Sequence, residues 1–135
     1  MARILLVNDE SDLLQMCKIV LESDGYAVDV VTDTSRVMDL AANGADMVLL
    51  DLVMPGTSGE AVFRMLRDSP KTKKMPVVIM SALEDVEDRA DSIGADGVLP
   101  KPFTPAALLD TIHRTLDASE RGGRGATKAA EDYAD

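Results

Sequence analysis

Five short apolar runs recur along this chain: Arg3 to Val7, Ala27 to Val31, Met47 to Leu50, Pro76 to Met80 and Gly97 to Leu99. A segment of helical period follows each of them. Runs this short and this apolar read as strands covered on both faces. The intervening helical stripes are Leu13, Leu14, Cys17, Val20 and Leu21; then Val37, Met38 and Leu40; then Val62, Phe63, Met65 and Leu66; then Val86, Ala90 and Ile93; and last Leu108, Leu109, Ile112 and Leu116. Ser11, Thr34, Thr57 (with Glu60 at capping-box spacing) and Thr104-Pro105 are the expected helix starts. Asp24-Gly25, Asn43-Gly44 and Ser69-Pro70 are the expected stops. Strand and helix in strict alternation predict an α/β domain, one parallel sheet with helices on both faces.

The alternation dissolves near Ser119. Residues 1–118 are read as one domain and 119–135, which include Glu120-Arg121-Gly122-Gly123-Arg124-Gly125, as a flexible tail. A single cysteine, Cys17, excludes an internal disulfide framework, and its place in an apolar stripe predicts a buried, inert thiol. The four apolar residues after Arg3 are too few for a secretory signal, and nothing approaches a membrane span. A cytoplasmic protein is expected. The net charge of -10 repels nucleic acid phosphates, and an aromatic content of 3% offers little for base stacking. The expected partners are proteins with basic patches.

In parallel α/β sheets, ligands sit beyond the carboxyl ends of the strands. Four polar clusters fall there: Asn8-Asp9-Glu10 after the first strand, Asp51 after the third, Ser81 after the fourth and Lys101 after the fifth. They lie far apart in sequence and converge on one rim. A carboxylate can act as a nucleophile and form an acyl phosphate. Neighbouring acids can hold a hard cation such as Mg²⁺, which offsets the repulsion between two anions. A lysine serves as a point charge on phosphate, and a hydroxyl can donate to a phosphoryl oxygen. Pro55-Gly56, just past Asp51, suits a type II turn. Lys71, Lys73 and Lys74 read as a solvated loop, and His113, off the apolar stripe and remote from the rim, as a surface residue.

The motifs Ile4-Leu5-Leu6-Val7-Asn8-Asp9-Glu10, Asp51-Leu52-Val53-Met54-Pro55-Gly56, Ser81-Ala82 and Lys101-Pro102-Phe103 resemble, in order and spacing, the receiver domain of two-component response regulators. The resemblance covers about Arg3 to Leu116. It implies a flavodoxin-like, doubly wound sheet of five parallel strands in the order 2-1-3-4-5, with five helices. It further implies that Asp51 accepts a phosphoryl group from a histidine kinase or histidine phosphotransfer protein. Asp9, Asp51 and the backbone carbonyl of Val53 would ligate Mg²⁺, with Asn8 reaching the metal through a water. Lys101 would pair with a phosphoryl oxygen, with the Lys101-Pro102 bond often cis, and Ser81 would bond another oxygen and move on activation. The protein is then a phosphoacceptor and signalling switch of the single-domain type rather than an enzyme. Its downstream target would bind the face made by the fourth helix, fifth strand and fifth helix.

Two residues depart from the family pattern. Asn8 replaces the first of a usual acidic pair, which predicts weaker Mg²⁺ binding. Val98 stands where the family often has Tyr or Phe, so no aromatic ring can swing between buried and exposed states. Competing readings are a phosphorylation-independent binding module, a flavin-binding protein of the same fold and an Asp-nucleophile phosphatase. Asn8-Asp9-Glu10 would repel a cofactor phosphate at the first strand. The phosphatase would want its nucleophile after strand one with a second Asp two residues on, where this chain has Val53 two residues after Asp51.

Overall fold

The computed structural model describes residues 2–54 and 57–122. Its main sheet holds five parallel strands: β1 (Arg3–Val7), β2 (Ala27–Val31), β3 (Met47–Asp51), β4 (Val77–Ser81) and β5 (Gly97–Pro100). They lie in the order β2-β1-β3-β4-β5, as expected for a doubly wound sheet. The helices are α1 (Ser11–Ser23), α2 (Val37–Ala42, entered through a 3₁₀ turn at Thr34–Arg36), α3 (Gly59–Asp68), α4 (Val86–Ile93) and α5 (Pro105–Gly122). Val53–Met54 and Thr57–Ser58 pair as a small antiparallel ribbon beside the end of β3. The expected turn at Pro55-Gly56 lies outside the described residues.

Side chains alternate across the sheet and so build two cores. Leu5, Val7, Val48, Leu50, Val77 and Ile79 face α2, α3 and α4, packing with Val37, Val62, Phe63, Leu66, Val86 and Ala90. Ile4, Leu6, Met47, Leu49, Val78 and Met80 face α1 and α5, packing with Leu14, Cys17, Leu21, Leu108 and Ile112. This explains the unbroken apolar strands: neither parity faces water. It also fixes register, because a slip by one residue would exchange the two faces.

Several expected caps move by one residue. The first residue of α1 is Ser11 and its N-cap is Glu10, without a side-chain cap bond. Asp33, not Thr34, accepts the Ser35 N–H at the entry to the 3₁₀ turn. Ser58, not Thr57, caps α3 by accepting from the Glu60 N–H, and Glu60 pairs with Arg89 instead of closing a capping box. Thr104 caps α5 as expected, accepting from the Ala107 N–H at 3.0 Å. Helix α5 runs past the expected boundary at 118 to Gly122; the remainder of the expected tail, 123–135, lies outside the described residues.

Cys17 is 1% exposed in the α1/α5 core. Burial pushes its thiol up to about 11, against an opposing pull from the Lys101 charge. At pH 8 that leaves roughly two orders of magnitude less thiolate than an ordinary cysteine. Iodoacetamide alkylation of the folded protein, followed by mass spectrometry, is expected to be slower by at least that factor. Alkylation at the rate of a free thiol would contradict the buried placement.

Candidate functional site

Asp51 is the last residue of β3, in register with Met80 of β4, and is 2% exposed. Its Oδ1 accepts the Val53 N–H at 2.9 Å, and its Oδ2 accepts from Lys101 Nζ at 2.6 Å. The backbone behind it is tied down twice. Leu52 N–H donates to the Met80 carbonyl at 3.1 Å, and Gly59 N–H donates to the Leu52 carbonyl at 3.0 Å. Gly59, the first residue of α3, presses so closely on this segment that a Cβ there would overlap the Asp51 carbonyl oxygen and lie 2.5 Å from Leu52 Cα. The sequence reading missed Gly59. A glycine after a cap residue carries no local mark of such an approach.

Lys101 reaches Asp51 from the end of β5. Its own N–H donates to the Ser81 carbonyl at 2.8 Å, which fastens this loop to the end of β4, and the Lys101-Pro102 peptide is cis. Lys101 Nζ also donates to Glu10 Oε1 at 2.6 Å. Its side chain is 15% exposed, Asp51's is 3% and Glu10's is 59%. Burial works against the ammonium, but hydrogen bonds and attraction from Asp51 and Glu10 outweigh it, so the Lys101 pKa rises above that of an ordinary lysine. Glu10 holds the N-cap position of α1 and is also the second anchor of this lysine.

Asp9, Asp51, Val53, Ser81 and Lys101 line one cavity of about 430 Å³, together with Glu10, Ala82 and Leu83. Thus the four strand ends do meet. Asp9 is exposed there, and its side chain has no hydrogen-bond or ion-pair partner among the described residues. Ser81 is 1% exposed, and its Oγ accepts the Leu83 N–H at 3.1 Å, which leaves its own O–H proton free to donate elsewhere. Val53 is 56% exposed at the mouth.

Asn8 stands apart. It does not line the cavity; it is fully buried, and its Oδ1 accepts the N–H groups of Asp9 at 2.6 Å and Glu10 at 3.0 Å. Both acceptor sites of that oxygen are therefore used. The expectation that this carbonyl would hold a metal-bound water meets an oxygen already engaged by the backbone. Asn8 Nδ2 is a buried donor without a hydrogen-bond partner among the described residues. His113 is on the exposed side of α5, with Nε2 2.7 Å from Asp24 Oδ2 and far from this rim, as expected.

The family model for the response regulator receiver domain matches residues 4–113. The chain belongs to the response regulator receiver domain family. Receivers are the phosphoacceptor modules of two-component signalling, and this receiver's relatives are bacterial response regulators. It is 36% identical over 121 residues to the transcriptional regulatory protein CpxR of Escherichia coli, covering 88% of this chain and 51% of the relative. The chain thus spans about half the length of the curated relatives it matches. Among solved structures it resembles the chemotaxis response regulator CheY4 of Vibrio cholerae, with 29% identity, a TM-score of 0.78 and coverage of 85% of this chain and 98% of that one. It also resembles the response regulator TrrA of Thermotoga maritima in complex with Mg²⁺–BeF, with 28% identity, a TM-score of 0.75 and coverage of 85% and 99%.

The donor set of this receiver suits Mg²⁺. The cavity offers the carboxylates of Asp9 and Asp51, and no cluster of three or more His, Cys, Asp or Glu side chains able to hold a metal is found among the described residues. Mg²⁺ takes hard oxygen ligands, few of them from protein, and keeps several waters, so a site with two carboxylates is compatible with it.

Proposed function

We propose that this receiver takes a phosphoryl group onto Asp51 from the phosphohistidine of a histidine kinase or histidine phosphotransfer protein, in a Mg²⁺-dependent reaction. The observation that carries the proposal is the buried Asp51 carboxylate held by Lys101 inside the cavity that Asp9 borders. An Asp51 carboxylate oxygen attacks phosphorus, the P–N bond to the donor imidazole breaks, and the electron pair leaves on that nitrogen. The product is an acyl phosphate on Asp51.

Each neighbour has a part in this. Lys101 remains protonated and transfers its bond from the carboxylate to a phosphoryl oxygen, with Glu10 keeping the ammonium in place. Val53 N–H stays on the carboxyl group and fixes its orientation. The Ser81 hydroxyl donates its free proton to a second phosphoryl oxygen. Asp9, Asp51 and the Val53 carbonyl would hold Mg²⁺, which supplies charge neutralisation between the two anionic reactants. The phosphorylated receiver then acts as a cytoplasmic regulator through protein contact at the α4–β5–α5 face.

Acetyl phosphate with Mg²⁺ is expected to add the mass of one phosphoryl group to the intact protein, and none without Mg²⁺ or in Asp51→Asn. A mass gain that persists in Asp51→Asn would move the acceptor elsewhere. No gain at all would favour the phosphorylation-independent binding module, the reading to which Asn8 lends weight.

Asn8→Asp tests the departure at the first position. Aspartate keeps both backbone N–H bonds and replaces the orphan amide nitrogen with an anionic oxygen. One added negative charge next to Asp9 is expected to tighten Mg²⁺ binding by about tenfold. Titration of both proteins checks it, and equal or weaker binding in Asn8→Asp contradicts it.

A further inference from the structure

Acidic residues outnumber basic ones by 24 to 14 in this chain, so a cation without a partner is the exception. Arg3, Lys18, Arg67, Arg89, Lys101 and Arg114 are each ion-paired, and Arg36 stands within electrostatic reach of Asp33. Arg64, Lys71, Lys73 and Lys74 are exposed, and their side chains have no partner among the described residues. All four fall on one stretch, the second half of α3 and the loop that leads to β4, where Asp68 is the only acid. This loop, expected from sequence as a solvated connection, is firmly built. Thr72 is 1% exposed and donates its hydroxyl proton to the Leu66 carbonyl at 2.6 Å. The N–H groups of Thr72 and Lys73 both donate to the Ser69 carbonyl, at 3.1 and 2.8 Å, and Arg67 holds the Met75 carbonyl at 2.6 Å. The lysines therefore project from a fixed turn, and little backbone entropy is lost when a ligand binds them. The turn precedes the first residue of β4, Val77, whereas Asp51 ends β3. In a parallel sheet those two places are opposite edges, so the turn lies at the far end of the domain from the Asp51 cavity.

We propose that this basic turn is a docking surface for a short acidic segment of a partner protein. Glutamate or aspartate side chains of that segment pair with Arg64, Lys71, Lys73 and Lys74, and Met65, 45% exposed on the same stretch of α3, offers an apolar contact beside them. Charge complementarity favours a short occupant. A long polyanion such as duplex nucleic acid would run past these four cations onto the surface of a protein of net charge -10. The docking leaves the Asp51 cavity open and does not rest on the phosphoacceptor reading.

The probe is fluorescein-labelled hexaglutamate, titrated against the whole protein at low salt, where exposed charges are least screened. It is expected to give saturable shifts in the backbone amide NMR signals of Met65 and of Lys71 to Lys74. The double variant Lys73→Ala/Lys74→Ala, two exposed truncations, is expected to weaken binding about fivefold. Lys18→Ala/Arg114→Ala, which removes two cations already paired on α1 and α5, is expected to leave binding unchanged. The absence of saturable shifts, or equal losses in the two double variants, would return the turn to a merely solvated loop. Tighter binding of a short DNA duplex at the same signals would assign it to nucleic acid. Self-association of the unaltered protein in sedimentation, lost in Lys73→Ala/Lys74→Ala, would assign it to a second copy of the chain. Each of these outcomes overturns the proposal. Acetyl phosphate labelling of the protein, with Mg²⁺ in excess, is expected to proceed at the same rate under saturating hexaglutamate. Slower labelling would place the peptide on Lys101 and also overturn it, whereas no labelling with or without peptide counts against the receiver chemistry alone.

Discussion

Gly59→Ala is expected to destabilise the fold by about 3 kcal/mol, the upper range for forcing an atom into a packed region. The added methyl would meet backbone rather than a yielding side chain: the Asp51 carbonyl oxygen, Leu52 Cα at 2.5 Å and Leu52 C at 2.9 Å. Relief requires α3 to withdraw from the end of β3, which stretches the Gly59 N–H bond to the Leu52 carbonyl. Phosphoryl transfer to Asp51 should fall along with stability, since the same movement shifts the acceptor. Gly25→Ala is the control. It has open space around it and only its φ of +95° to resist, so about 1 kcal/mol is expected there. Urea unfolding of both variants checks the contrast, and comparable losses would contradict the close approach.

Lys101→Met is expected to cost about 3 kcal/mol at neutral pH and to slow phosphorylation sharply. The methionine fills similar volume but strips the cation from Asp51, a carboxylate 2% exposed. Removing one partner of a largely buried pair leaves the other charge uncompensated, which is the costly case. The contact with Glu10 contributes little to this figure, because Glu10 is 59% exposed and screened by solvent. The pH dependence has a definite sign. The Lys101 pKa is raised in the folded state, so its stabilisation is fully present below about pH 10, the ordinary lysine range. It is lost as pH rises through the higher folded value. On the alkaline side, wild type should therefore keep its advantage over Lys101→Met until strongly alkaline pH. A stability gap that closes near neutrality, or no gap at all, would show that Lys101 is not the counter-ion the geometry makes it.

Most of the scaffold was legible because its causes are local. Both parities of β1, β3 and β4 are buried, so each reads as an unbroken apolar run, and the stops at Asp24-Gly25, Asn43-Gly44 and Ser69-Pro70 fall where the chain turns. Caps slipped by one residue where adjacent residues are both competent: Asp33 beside Thr34, and Ser58 beside Thr57. The end of α5 was set too early, as Ser119-Glu120-Arg121 contains no breaker before Gly122. What the site owes to distant parts was less visible. The Glu10–Lys101 bond joins residues 91 apart in sequence, and Gly59 matters only through what packs over it. Asn8 was legible as a departure, but the use of its oxygen by two backbone N–H groups depends on how the chain turns after β1.

Asp51 is the residue expected to carry the phosphoryl group. The most direct measurement is borohydride reduction of the protein after treatment with acetyl phosphate and Mg²⁺, followed by peptide mapping by tandem mass spectrometry. Borohydride reduces an aspartyl phosphate to homoserine. The predicted result is homoserine at position 51 and aspartate retained at position 9. Aspartate retained at 51 in protein that has gained phosphoryl mass, or homoserine at another position, would contradict the account.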